Sequence, residues 1–192
     1  STYGDRNCWY LQYERELATS TPGNDAIWIK WIHLWNSKLK RSDYIKLGLL
    51  MTKIWKTIPT VEQLNNSSKN TAVSNLGIEI TEVGDDYIKA TMPVDHRTKQ
   101  PMGLLHGGAS VLLAESLGSL ASVFCRNSDD EQPVGIEINA NHLKSATDGI
   151  VTGVVKPVHI GRTLHVWEIR IENQKNQLCC ISRLTVSLIP KR

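Results

Sequence analysis

The chain has 192 residues, 41% hydrophobic and 21% charged, with 22 basic against 19 acidic side chains and a net charge of +3. That length suits one domain with its own core, held without disulfides or metals. The near-neutral balance excludes a broad nucleic-acid-binding face, and no run of about 18 uncharged apolar residues marks a membrane span.

Residues 1–50 read as a different text from the rest. They hold eight of the twelve aromatic side chains: Tyr3, Trp9, Tyr10, Tyr13, Trp28, Trp31, Trp35 and Tyr44. Three explanations compete: an aromatic-rich extension, an expression leader, or an upstream stretch translated in frame. The last is preferred, with Met51 as the natural start, and no function is placed there. From residue 51 the pattern is regular. Thr60 followed by Gln63 fits a capping box opening a helix over 60–66, with a second turn at 70–75. Strands are predicted over 78–83 and 87–92, joined by a turn at Gly84-Asp85-Asp86. A loop over 93–102 leads to one strong helix, 107 to about 124. Four more strands follow, over 135–142, 149–158, 164–172 and 178–188, with turns at 148–149 and 173–176. Long β runs around a single apolar helix predict an α+β fold, an antiparallel sheet packed on that helix.

The chemistry concentrates in residues 100–119, QPMGLLHGGASVLLAESLGS. At 3.6 residues per turn Leu113, Leu117, Leu120 and Phe124 share an oily face. Val111, Glu115, Gly118, Ser119 and Ser122 share a small or polar one. Glu115 is the only charge between His106 and Arg126. A carboxylate there either reaches water or is kept for chemistry, since burying it uncompensated is costly. Gly107-Gly108 marks either a tight turn into the helix or uncovered amides that favour negative charge. Such amides stabilise an oxyanion forming on an attacked carbonyl. The six histidines include no HExxH or comparable ligand cluster, so zinc hydrolysis is not indicated. The cysteines Cys8, Cys125, Cys179 and Cys180 form no CxxC pair and read as reduced thiols of a cytoplasmic protein.

His106-Gly107-Gly108, with Glu115 nine residues after the histidine and Ser119 one turn later, resembles the hotdog-fold acyl-CoA thioesterases, in the branch that carries a catalytic Glu on the central helix. The similarity extends through 51–56 (MTKIWK), 90–95 (ATMPVD), 137–142 (EINANH) and 178–184 (LCCISRL), covering 51–192 and none of 1–50. The resemblance implies a hotdog domain over 51–192, an antiparallel sheet wrapped around one central helix, that needs no cofactor and no metal. Glu115 would be the catalytic carboxylate, as base on water or as nucleophile. The Gly107 amide would hold the thioester oxygen, Gln100 and His106 would orient carbonyl and water, and Ser119 would bond near the carboxylate. Val134 would line the acyl pocket. Two segments would hold coenzyme A: Asn141, His142, Leu143 and Lys144, then Val158, His159, Ile160, Gly161, Arg162 and Thr163. Lys144 stands where Arg is expected, and Met102 where an aromatic is common.

The family's sites lie between subunits, with Glu and oxyanion Gly from different chains, which implies a homo-oligomer, a dimer or dimer of dimers. The implied reaction is hydrolysis of an aryl-CoA thioester, 1,4-dihydroxy-2-naphthoyl-CoA of menaquinone synthesis first. The alternatives are proofreading hydrolysis of misloaded acyl carrier proteins and, in a different class, non-catalytic acyl-CoA binding. Neither nucleic acid nor membrane is expected as a partner.

Overall fold

The computed structural model describes residues 53–191. The extension predicted over 1–50 lies outside the described residues, as does Met51. Two short helices lead in, α1 (Val61–Ser67) and α2 (Ala72–Asn75). Both bonds of the capping box form at α1: the Gln63 N–H donates to Thr60 Oγ1 at 3.1 Å, and the Thr60 N–H to Gln63 Oε1 at 3.0 Å. Then come β1 (Glu79–Val83), β2 (Ile88–Pro93), the long helix α3 (Gly107–Cys125), β3 (Glu131–His142), β4 (Ile150–Ile160), β5 (Leu164–Asn173) and β6 (Leu178–Pro190). The strands form one six-stranded sheet in the order β1-β2-β4-β5-β6-β3, and every neighbouring pair is antiparallel. This is the α+β hotdog arrangement, a sheet curved around one helix.

The core lies between that sheet and α3. Leu113, Ala114, Leu117 and Ala121 are fully buried, facing Val151, Val155, Trp167, Ile169, Ile171 and Leu184. Small residues on α3 bring the two layers close. A Cβ on Gly118 would lie 2.5 Å from Leu184 Cδ2, and buried Ser122 accepts a 2.7 Å hydrogen bond from the Trp167 indole N–H. The helical wheel therefore needs a correction. Gly118 and Ser122 face the sheet, while Leu120 and Phe124 are only half-buried. A wheel ranks faces by polarity, but the sheet packs on a face that mixes Leu113 and Leu117 with small Gly118 and Ser122. By length and composition α3 would suffice to cross a membrane; here half of that stretch is buried inside the protein.

β3 begins at Glu131, four residues before its predicted start. Pro133 is tolerated because β3 is an edge strand, paired only with β6. Pro157 in β4 is accommodated similarly. The β2 ladder on that strand ends at Val155, and a register shift follows between Pro157 and His159 on the β5 side.

Candidate active site

Helix α3 opens with His106 as N-cap and Gly107 as its first residue. The loop before it holds this start in place. The His106 N–H donates to the Thr98 carbonyl at 2.8 Å, and buried Thr98 donates its hydroxyl to the Pro93 carbonyl at 2.7 Å. His106 Nδ1 accepts the Gly108 N–H at 2.8 Å, which makes that nitrogen an acceptor. The Gly107 N–H has no hydrogen-bond partner among the described residues. It is a free donor at a helix N-terminus, where the backbone dipole adds to its pull on negative charge. The His142 imidazole, at the end of β3, packs over it: Nε2 lies 2.8 Å from where a Gly107 Cβ would stand. Gln100 turns its side-chain oxygen back onto the Met102 N–H, and its amide N–H groups have no partner among the described residues.

Glu115 lies two turns further along α3. It is half-buried and has neither an ion pair nor a hydrogen bond among the described residues. Its Oε1 lies 3.0 Å from the position of a Cβ on Gly135 in β3. Ser119 follows one turn later, also half-buried.

The sequence-predicted residues therefore form two groups in one chain. At the N-terminal end of α3 stand Gln100, His106, Gly107 and His142, with Asn141, Leu143 and Lys144 beside His142 at the end of β3. Towards the other end stand Glu115, Ser119 and Val134. The strand register carries the segment 158–163 to this second end, because Val134 pairs with Ser187 and Ser187 with Leu164, directly after the turn. His142 instead pairs with Cys180, which pairs with Ile171 and on to Gly153. Eight strand residues separate Val134 from His142, about 26 Å. Eight helix residues separate Gly107 from Glu115, about 12 Å along the axis. Within one chain the Gly107 amide and the Glu115 backbone therefore stand about two helical turns apart. A cleft of about 370 Å³ does exist, but at the C-terminal end of α3, between Lys56, Phe124 and Arg126, with Arg126 paired to Asp129. It contains none of the residues assigned to chemistry.

Two features escaped the sequence reading. Gly135 has a readable signal, since a lone glycine within a β run marks a bulge or a close backbone approach. His165 has none, because histidine at an inward strand position looks like any other alternation. It is fully buried at the start of β5, edge-on to Trp167 at 6.1 Å, and neither ring nitrogen has a hydrogen-bond partner among the described residues. Burial pushes its pKa down, against smaller upward pulls from the Gly161 backbone and the Glu131 charge. The three described cysteines, Cys125, Cys179 and Cys180, are buried and free, and burial pushes the Cys125 thiol up to about 12.

A helix wrapped by an antiparallel sheet, with a lone carboxylate at its middle and an open amide at its start, defines the hotdog thioesterases as a class. Comparison with known proteins agrees. The thioesterase superfamily pattern matches residues 102–180. The chain is 52% identical over 136 residues to the 1,4-dihydroxy-2-naphthoyl-CoA hydrolase of Escherichia coli K12, covering 71% of this chain and 99% of that protein. It is 49% identical over 136 residues to the proofreading thioesterase EntH of Cronobacter turicensis, covering 71% and 98%. The crystal structure of the thioesterase HI1161 from Haemophilus influenzae superposes with a TM-score of 0.69 at 52% identity, covering 71% of this chain and 95% of that one. The chain belongs to the thioesterase superfamily and is a thioester hydrolase.

Proposed function

We propose that the protein hydrolyses an aryl-CoA thioester at a site shared by two copies of the chain, with 1,4-dihydroxy-2-naphthoyl-CoA as the leading substrate. The observation that carries this reading is the 12 Å spacing, about eight helical rises, between a free Gly107 amide and an unpartnered Glu115. Each is half of a hydrolytic site, and a two-fold pairing of chains supplies the complement. The Gly107 N–H receives the thioester oxygen as it gains charge. Gln100 and His106 orient the carbonyl and the water. Glu115 either takes the proton from water as hydroxide adds to the carbonyl, or adds itself to give an anhydride that water then opens. In both routes the C–S bond breaks, the coenzyme leaves as thiolate and is protonated, and the acid is released.

The same pairing logic applies to the coenzyme. Residues 141–144 and 158–163 lie at opposite ends of one sheet, so a dimer or dimer of dimers brings segments from different chains around one ligand. Lys144 and Arg162, both exposed, supply cations for its phosphates, and Val134 borders the acyl group. The identity to a protein named as a naphthoyl-CoA hydrolase favours the aryl substrate. The identity to EntH favours a second reading, proofreading of misloaded acyl carrier proteins. The buried free thiols support a reducing, cytoplasmic setting, and residues 1–50 are proposed to lie outside the catalytic domain.

Glu115→Ala is expected to abolish thiol release from benzoyl-type CoA thioesters while leaving the oligomer intact; unchanged turnover would contradict the proposal. Aryl-CoA, aliphatic-CoA and aryl-carrier-protein thioesters compared at equal concentration separate the two substrate readings.

A further inference from the structure

We infer that Gly135, at the bulge in β3, is a positioning residue that sets where the Glu115 carboxylate stands. The inference deepens the proposed function and rests on its reading of Glu115 as the reacting carboxylate. The β3–β6 ladder runs in register from Glu131 opposite Pro190 to Gly135 opposite Val186, then resumes with Glu137 opposite Thr185. Ile136 is the extra residue, and its side chain is 60% exposed. An extra residue bends its strand and sharpens the local twist. At this bend the β3 backbone lies against the carboxylate, with the Gly135 Cβ position 3.0 Å from Glu115 Oε1 and 3.9 Å from Cδ.

Two observations make this contact a matter of space rather than of backbone geometry. Gly135 is not among the glycines with positive φ, which are Gly77, Gly103 and Gly149, so its conformation is open to any L-residue. Glu115 has no hydrogen bond or ion pair among the described residues to fix its rotamer, so the strand beside it is the wall it rests on. A methyl group at 135 would be closer than ordinary van der Waals contact. Glu115 would have to retreat by a few tenths of an ångström.

The consequences are kinetic. A misplacement of 1 Å at a reacting group lowers rate by about 100-fold, so Gly135→Ala is expected to lower kcat about 10-fold, with KM changed less than about twofold. A change acting only on stability would leave the ratio of kcat to KM where it is. Glu115→Asp draws the carboxylate back by one methylene. Adding Gly135→Ala to Glu115→Asp is therefore expected to lower kcat by less than about threefold more, a non-additivity that marks direct contact. A thermal cycle covers the case in which Gly135→Ala is too unstable to assay: its loss in Tm is expected to vanish when the carboxylate is removed by Glu115→Ala. Wild-type kcat, or the same Tm loss in both backgrounds, would overturn the inference. Full activity of Glu115→Ala would instead remove the catalytic reading, and the thermal cycle would still decide the contact.

Discussion

Replacing Gly107 by proline tests the oxyanion assignment with little change to the fold. Gly107 is the first residue of α3, the position where proline's fixed φ suits a helix and its missing N–H breaks no intrahelical bond. His106 has φ −69° and ψ 132°, the extended conformation that a following proline requires. The new Cβ meets the His142 ring, whose Nε2 is 2.8 Å away; that side chain is exposed. Proline at a compatible site typically stabilises by about 0.4–1 kcal/mol, which offsets part of that displacement, so Tm is expected to stay near wild type. Loss of one oxyanion donor lowers kcat by about 100–1,000-fold, or about 2.7–4 kcal/mol of transition-state stabilisation. Gly107→Ala keeps the N–H and displaces the same ring, so it isolates the steric part and is expected to lose less than about 10-fold. The assay is steady-state thiol release from benzoyl-CoA, beside thermal melts of all three proteins. A proline variant with kcat close to that of the alanine variant would refute the reasoning.

Two further outcomes concern the fold. His165 is buried with its pKa held below the ordinary value, so on acidification the unfolded chain takes up the proton first. Its contribution to stability is full above about pH 6.5 and is lost as pH falls through the depressed folded value; Tm between pH 8 and pH 5 is expected to fall less in His165→Phe than in wild type, and equal slopes would contradict this. Trp167→Phe removes the 2.7 Å bond to buried Ser122 and strands its hydroxyl; urea unfolding is expected to show a loss of about 1–3 kcal/mol, and a variant as stable as wild type would show that the bond contributes nothing.

Sequence reading succeeded where one residue type has one local use. Thr60 and Gln63 announce a helix start because their side chains satisfy its free amides, and both bonds are present. Glu115 stood out as a single charge in an apolar helix. Long-range pairing was harder to read. Nothing in the local pattern says that β3 leaves α3 at the far edge of the sheet, so the two predicted coenzyme segments gave no sign of lying at opposite ends. Gly118 and Ser122 fall on a polar face of the wheel because composition does not report how closely two layers approach. His165 was invisible for a related reason: strand alternation records that a position points inward, not whether its nitrogens find partners there.

Subunit complementation tests the central claim, that Glu115 and the Gly107 amide act together only across two chains. Glu115→Ala and Gly107→Pro homo-oligomers are each expected to be nearly inactive. When equal amounts are unfolded together and refolded, half of the random dimers are mixed, and each mixed dimer holds one intact site of two. The mixture is therefore expected to recover roughly a quarter of wild-type activity. If both groups acted within one chain, every site would carry a defect, and a mixture no more active than its parents would contradict the account.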